Sequence, residues 1–389
     1  MTRAAHTPEP AGPPLRAFLL TRSLGLGGAQ RQIVQLLGCL NPESVSATLG
    51  VFYDEGELAA EAKALPSVSY LDLRKRGRHD LLGFAWRLAR LLRRERFQVL
   101  YSFLTDANLL GLAAGRLAGV PVVWGVRDAR AGAGRLPGLT PTQVATLSLH
   151  RRLAPLADLV IANSRAGVAG FPAGARCLVI PNGIDTARFR PDPEARARMR
   201  QALGLAAADV LVGLVGRDDP VKDIDGFLTA CRLLSRRHPQ ARFLLAGQGL
   251  GPGGRAAAEA KRLGLAGKTL LLGPVPAPEE VYNALDLAAS SSWSEGFPNT
   301  VAEALACGVP CVATRAGDTK LLVGQAGRLV TPGRPEEMAA ALEGLLEAGA
   351  AERARLGGLG RARMVSEFSP QAMARRTEQA LRSVTAGRL

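Results

Sequence analysis

Glu295-Gly296-Phe297-Pro298-Asn299-Thr300-Val301-Ala302-Glu303-Ala304-Leu305-Ala306-Cys307-Gly308-Val309-Pro310 is the most informative stretch of this 389-residue chain. Pro298 sits where a first-turn proline belongs, Gly308 is a helix stop and Pro310 lies beyond it, so the spacing predicts a helix over about 299–307. Apolar runs near 286–290 and 310–313 flank it and read as strands. Loops at the carboxyl ends of parallel strands carry the chemistry of open α/β sheets, which puts Glu295 and the helix start at a binding edge. Glu303 falls inside the helix among Val301, Ala302, Ala304 and Leu305. A carboxylate in such company needs donors, and ribose hydroxyls would supply two. An ordinary exposed helix residue is the plainer alternative.

Working outward, short β-rich runs alternate with helical patterns along the chain, which predicts parallel sheets with crossover helices. Strands are expected near 16–22, 46–52, 68–73, 98–103, 121–126, 158–163 and 177–181, then near 210–215, 242–247, 269–273, 286–290 and 310–313. Asp185 to Ala206, with Pro191 and Pro193 and a charged stretch, marks the boundary. The chain therefore reads as two doubly wound α/β domains, 15–187 and 188–368, after a disordered polar leader at 1–14. A helix-spaced tail over about 369–389 is long enough to cross back onto the first domain, although spacing alone does not dock it.

Two other loops fall at expected strand ends. Gly25-Leu26-Gly27-Gly28-Ala29-Gln30 opens a helix with Ile33, Leu36, Leu37 and Leu40 on one face, and its glycines allow close backbone approach to an anion at the helix start. A dinucleotide loop would want a third glycine where Gln30 stands, which weakens a nicotinamide or flavin reading. Val215-Gly216-Arg217-Asp218-Asp219-Pro220-Val221-Lys222 places two cations where they can converge on a pyrophosphate, solvated loop charges being the alternative. Asp223-Ile224-Asp225 spells an Asp-x-Asp pair, but at a helix start these aspartates read as caps rather than metal ligands.

Glu-Gly-Phe-Pro-Asn-Thr-x-x-Glu-Ala-x-Ala-x-Gly-x-Pro resembles the signature of glycosyltransferase family 4, which has the GT-B fold: two Rossmann-like domains facing a central cleft. The resemblance extends in order through Gly27-Gly28-Ala29-Gln30, Ala162-Asn163-Ser164, Pro181-Asn182-Gly183-Ile184-Asp185, Gly216-Arg217 with Lys222, and Ala246-Gly247-Gln248-Gly249. It implies a retaining transferase that needs no bound metal or other cofactor and takes a nucleotide diphosphate sugar, with cationic side chains stabilising the leaving diphosphate. Arg217 and Lys222 would bind the diphosphate, Glu303 the ribose and Glu295 the sugar hydroxyls. Gly27, Gly28, Gly296, Phe297, Asn299 and Thr300 would line the donor, and Gly273 to Pro276 would face the base. Many members carry a histidine after the strand that corresponds to 121–126, where this chain reads Trp124-Gly125-Val126-Arg127-Asp128. None of His6, His79, His150 and His238 fits that place in sequence, so Arg127, Asp128 or Asn108 is expected on that face, an Arg127–Asp128 ion pair being an equal reading. Lys320 stands where many members have a nearby glutamate, a second departure.

Composition sets the outer bounds. The five cysteines are odd in number and scattered, which excludes a disulfide framework and fits a reducing compartment. No signal-like start and no uninterrupted apolar run of about 18 residues is present, so the expectation is a cytoplasmic protein. The net charge of +15 favours anionic partners. Around 74–96, Arg74, Lys75, Arg76 and Arg78 precede a helical pattern with Leu81, Phe84, Ala85, Leu88, Leu91 and Leu92 on one face and Arg87, Arg90 and Arg94 on another. Docking on an anionic membrane and simple packing on the first sheet are equal readings, and docking would make the acceptor a lipid-linked glycan. Nucleic acid is not expected, because phosphate-backbone binding has no use for paired carboxylates. A non-catalytic nucleotide- or nucleic-acid-binding protein of the same fold, and a sugar synthase or phosphorylase, remain the alternatives.

Overall fold

A computed structural model describes residues 12–25, 27–127 and 140–387. Within them the chain forms two units, Met1–Gly183 with Pro370–Leu389, and Ile184–Ser369. Most of the leader, residues 1–11, lies outside the described residues.

The first unit is built on a seven-stranded sheet: β1 Leu15–Thr21, β2 Val45–Val51, β3 Val68–Asp72, β4 Val99–Phe103, β5 Val122–Val126, β6 Leu159–Ala162 and β7 Cys177–Val179. Their order is β3-β2-β1-β4-β5-β6-β7 and every pairing is parallel. The central strands are apolar on both faces because helices cover both sides. Phe18 and Leu20 face the cluster holding Phe84, Leu88 and Trp124, while Ala17 and Leu19 face the one holding Ile33, Leu36 and Leu37. The order reverses between β1 and β4, which makes the carboxyl edge there the natural crevice.

The helix Pro370–Thr385 completes this unit. Met373, Ala374, Ala380 and Leu381 join the core beneath the helix Gly28–Cys39. The Glu378 carboxylate accepts from the Asn41 amide at 2.7 Å, and Arg382 donates to the Ser44 carbonyl at 2.7 Å. Gln32 clasps Gly183 by both backbone groups, at 2.8 and 3.0 Å.

The second unit has a six-stranded parallel sheet: β8 Val210–Val215, β9 Ala241–Ala246, β10 Thr269–Gly273, β11 Leu287–Ser290, β12 Cys311–Thr314 and β13 Gly327–Val330, in the order β10-β9-β8-β11-β12-β13. The strand β13 is absent from the sequence reading; Arg328 interrupts it and only two residues, Leu329 and Val330, are large and apolar. The unit begins at Ile184, ahead of the proline-marked stretch, because Ile184 and Phe189 are buried in its core and the Ile184 amide donates to the Phe368 carbonyl at 2.8 Å.

Candidate functional site

In the second unit the candidate residues gather at the carboxyl ends of β8, β11 and β12. After β8 the backbone runs into a single turn of 3-10 helix, Pro220–Lys222, capped by the Asp219 side chain on the Val221 amide. Lys222 Nζ donates to Glu295 Oε1 at 2.6 Å, and the same oxygen accepts from Ser292 Oγ at 2.6 Å. Ser291 Oγ donates to the Lys222 carbonyl at 2.7 Å and the Trp293 amide to the Val221 carbonyl at 2.8 Å, so the loops after β8 and β11 are bonded to each other along their length. Thr314 Oγ1, at the end of β12, donates to the Ser292 carbonyl at 2.6 Å. Two glycines make this crowding possible. A Cβ on Gly247, at φ +137°, would sit 1.7 Å from the Gly216 carbonyl oxygen, and one on Gly317, at φ +53°, would sit 2.0 Å from that of Glu295.

Arg217 is mostly exposed and only loosely held, 3.7 Å from Asp219, which leaves its guanidinium available to a ligand. The acidic residues around it are engaged. Asp218 and Asp225 share Arg255 at 2.6 and 2.5 Å, and Asp223, itself left-handed at φ +49°, caps the helix Ile224–Arg237 through the Gly226 amide at 3.2 Å. Asp223 therefore acts as the cap expected of it, whereas Asp225 is an ion-pair partner instead.

The helix predicted over 299–307 is Asn299–Ala306, and Pro298 occupies the position before its first residue rather than the first turn itself. The Pro298 carbonyl accepts from the Val301 and Ala302 amides. Gly296 accepts from the Asp318 amide at 3.0 Å, and Phe297 is buried against Phe368. Asn299 and Thr300 form the half-buried start of the helix, Thr300 lining a small recess with Tyr282 and Ala288. Glu303 Oε2 accepts from the Tyr282 hydroxyl at 2.9 Å. Burial raises the Glu303 carboxyl above the ordinary carboxylate range, and the Tyr282 bond and the Arg188 charge draw it partly back. Tyr282, missed in the sequence, supplies one of the donors this carboxylate requires. Gly273, the first residue of the expected base-facing loop, accepts from the Gly247 amide at 2.7 Å.

In the first unit a cavity of about 490 Å³ opens at the carboxyl edge, lined by Arg22, Gln30, Leu104, Asn108, Arg127 and His150, among others. Gly27 caps, and Gly28 begins, the helix that carries Gln30. Gly27 has an extended backbone, φ −138°, so its role is close approach rather than an unusual turn. Arg127 is committed to the protein: Nη1 donates to Asn182 Oδ1 at 3.0 Å, Nη2 to the Tyr101 hydroxyl at 3.3 Å, and the guanidinium lies over the Phe103 ring. Arg127 still lines the cavity, with its guanidinium bonded within the wall. Asp128 lies outside the described residues, and with it the proposed Arg127–Asp128 pair.

Of the four histidines, none of which follows β5 in sequence, His150 lies at this cavity. It comes from the helix Pro141–Leu153, stacks on Trp124 with ring centroids 4.4 Å apart, and is 1% exposed. Ser102 Oγ donates to Asn108 Oδ1 at 2.9 Å, which aims Asn108 Nδ2 at His150 Nε2, 3.0 Å away. An amide donor there makes Nε2 the acceptor and puts the ring proton on Nδ1. Burial, with the Arg151 charge nearby, lowers the imidazole to about 4, so it is neutral at physiological pH. The helical spacing of 141–153 hides this residue, because nothing in sequence ties it to β5.

Buried polar atoms without partners are rare in folded proteins. Of the eight among the described residues, five, Thr21 Oγ1, Trp124 Nε1, Arg127 Nε, His150 Nδ1 and Asn163 Oδ1, belong to β1, β5, their carboxyl ends, the end of β6 or the His150 helix, and His238 Nε2, Thr269 Oγ1 and Arg363 Nε lie in the second unit. In the second unit His238, Glu343 and Glu347 bring three ligand-type atoms within 4.8 Å, but Arg237 donates to Glu343 at 2.8 Å and already neutralises it.

Two family models match the chain, Glycosyltransferase Family 4 over residues 26–188 and Glycosyl transferases group 1 over 209–348. The chain belongs to glycosyltransferase family 4. It is 37% identical over 204 residues to the D-inositol 3-phosphate glycosyltransferase of Segniliparus rotundus, a match that covers 50% of this chain and 44% of that one. It is 36% identical over 203 residues to its namesake in Corynebacterium jeikeium, with 48% of each chain covered. The chain spans less than half the length of these curated relatives. Among solved structures, that of Anabaena Alr3699/HepE in complex with UDP superposes with a TM-score of 0.77 over 95% of this chain and 100% of that one, at 24% identity. Sucrose-phosphate synthase from Thermosynechococcus elongatus does so with a TM-score of 0.76 over 96% and 100%, at 20% identity. At such identities these likenesses establish the fold, two Rossmann-like domains of the GT-B kind.

Proposed function

We propose that the protein is a retaining glycosyltransferase, a hexosyltransferase that moves a hexose or N-acetylhexosamine from a UDP- or GDP-sugar to a glycan hydroxyl without a bound metal. The observation that carries this reading is the Lys222–Glu295–Ser292 cluster at the sheet's carboxyl edge, with Arg217 loosely held nearby and Glu303 on the next helix. A nucleotide sugar offers both kinds of group this edge can use, phosphate oxygens for the cations and hydroxyls for the carboxylates. A cation anchored by the fold, as Lys222 is, stabilises the charge that builds on the departing diphosphate with little reorganisation, and Arg217 adds a second. Loss of the diphosphate and attack by the acceptor hydroxyl on the same face of the sugar give retention, and the acceptor proton leaves with the diphosphate.

UDP is favoured over GDP because the Anabaena relative of fold is described with UDP-glucose. The acceptor is read as a lipid-linked glycan or a precursor of a cell-surface polysaccharide or lipopolysaccharide, handled at the inner face of the cell membrane by a cytoplasmic enzyme. D-inositol 3-phosphate, named for the curated relatives, is the competing acceptor. A panel of UDP- and GDP-sugars scored by thermal stabilisation tests the donor, since a ligand at about 100 times its Kd adds roughly 2.7 kcal/mol. Product analysis with the best donor, offering lipid-linked glycan and inositol phosphate in parallel, tests the acceptor. No stabilisation by any nucleotide sugar would overturn the reading in favour of a non-catalytic binding protein, and sugar-phosphate formation would favour a synthase or phosphorylase.

A further inference from the structure

The helix Leu82–Arg94 covers one face of the first sheet with Phe84, Leu88 and Leu92, yet its opposite face is not an ordinary solvated surface. Leu82 is 88% exposed and Trp86 59%, and at i and i+4 they stand one above the other on the outward side. Arg90 continues the stripe and lies 5.7 Å from the centre of the Trp86 ring. Arg93, on the same side, donates to the Leu117 and Ala118 carbonyls, which brings the exposed Leu117 alongside. Leu81, placed on the buried face by helical spacing, is 50% exposed because it precedes the first turn.

Charge distinguishes this patch from scattered surface leucines, which need no explanation. The span 72–96 carries nine basic residues against three acidic ones. Each acidic residue is engaged: Asp72 with Arg74 at 3.6 Å, Asp80 with Arg87 at 2.5 Å, and Glu95 with Arg94 at 2.9 Å. Arg76, Arg78, Arg90 and Arg96 are exposed and have no carboxylate within ion-pair distance among the described residues. A second copy of the chain would meet this face with the same charge and be repelled. A rigid apolar ridge set in unneutralised arginines matches the headgroup layer of an anionic bilayer, where indole rings and aliphatic anchors sit and each arginine near the surface adds attraction. Described helices include none long and apolar enough to cross a membrane, so binding here is at the surface.

We propose that the Leu82, Trp86 and Leu117 ridge with Arg76, Arg78, Arg90 and Arg96 is a docking surface for anionic phospholipid bilayers, with Leu82 and Trp86 inserting at the headgroup boundary. The proposal is independent of the transfer reaction and is tested without substrates. Full-length protein is co-sedimented with vesicles of phosphatidylcholine alone and of phosphatidylcholine with phosphatidylglycerol, at low and physiological salt. Binding is expected to the anionic vesicles only and to weaken with salt. Trp86→Ser and Leu82→Ser should each lower partitioning on the order of tenfold, and Arg90→Gln with Arg96→Gln by a similar factor, all with unchanged urea midpoints because these side chains face outward. Absence of binding to anionic vesicles overturns the proposal. So does binding that Trp86→Ser and Leu82→Ser leave intact while heparin or DNA competes fully, which marks a generic polyanion surface. Concentration-dependent self-association abolished by Trp86→Ser assigns the ridge to a second copy and also overturns it.

Discussion

His150 makes acid stability a sensitive test of the first unit's cavity. Its imidazole is held down to about 4 by burial, against an ordinary value of about 6.5 in the unfolded chain. The folded state therefore refuses a proton that the unfolded state accepts. The stabilisation is whole above the unfolded value and is lost as pH falls from about 6.5 toward 4. With those two values, linkage gives a loss of about 2 kcal/mol between pH 7 and pH 5. Other groups also titrate, so the measurement is a difference of differences. Urea unfolding is followed at both pH values for the parent and for His150→Phe, which keeps an aromatic ring against Trp124 but cannot be protonated. The substitution costs a constant amount by removing the acceptor for Asn108 Nδ2, and that cancels between the two pH values. The parent should lose about 2 kcal/mol more than the variant on acidification. Equal losses would refute the neutral, buried imidazole and with it the tautomer assigned from Asn108.

Four further outcomes test the second unit. Lys222→Ala should weaken donor binding by about 1.5–3 kcal/mol in a titration, the range of a charge-assisted bond, and also lower the melting temperature because it strands the Glu295 carboxylate; adding Glu295→Gln should restore stability but not affinity. Arg217→Ala should weaken donor binding over the same range of about 1.5–3 kcal/mol without a stability cost, since the side chain is exposed, and unchanged affinity in both variants would remove the phosphate site. Glu303→Ala should weaken binding of a natural donor more than Glu303→Gln, and cost much less with a donor lacking the ribose hydroxyls; equal losses for the two donors would make the carboxylate structural. Transfer should survive EDTA, and complete loss restored only by manganese or magnesium would overturn stabilisation by side-chain cations.

Much of the frame was legible because it rests on local rules. Apolar runs bounded by turn residues locate β1 to β12, and the failure at β13 comes from a strand only four residues long with an arginine inside it. Asp223 reads as a cap because capping needs only the three residues that follow. What stayed hidden are pairings across long sequence separations. Lys222 and Glu295 are 73 residues apart, and the sequence points each at a ligand, whereas the fold bonds them to each other. Glu303 needed a donor, and periodicity in 278–284 does not reveal that Tyr282 is one of them. His150 is joined to Asn108 across 42 residues, and Arg127 to Asn182 across 55. Such contacts are set by which loops a sheet brings to one edge, which no local pattern records.

The helix Pro370–Thr385 has a consequence for how the protein is made. Ile184–Ser369 is one continuous stretch and can close its core as it leaves the ribosome, whereas the unit that begins the chain lacks Met373, Ala374, Ala380 and Leu381 until after that stretch has been translated. At ordinary elongation rates the interval is on the order of 10 to 40 seconds. Throughout it, the apolar flank of Gly28–Cys39 stands uncovered. The first unit is thus completed only after the second has been translated, and a nascent chain stalled before residue 370 should be a client for holdase chaperones through the first unit, while the second is already protease-resistant.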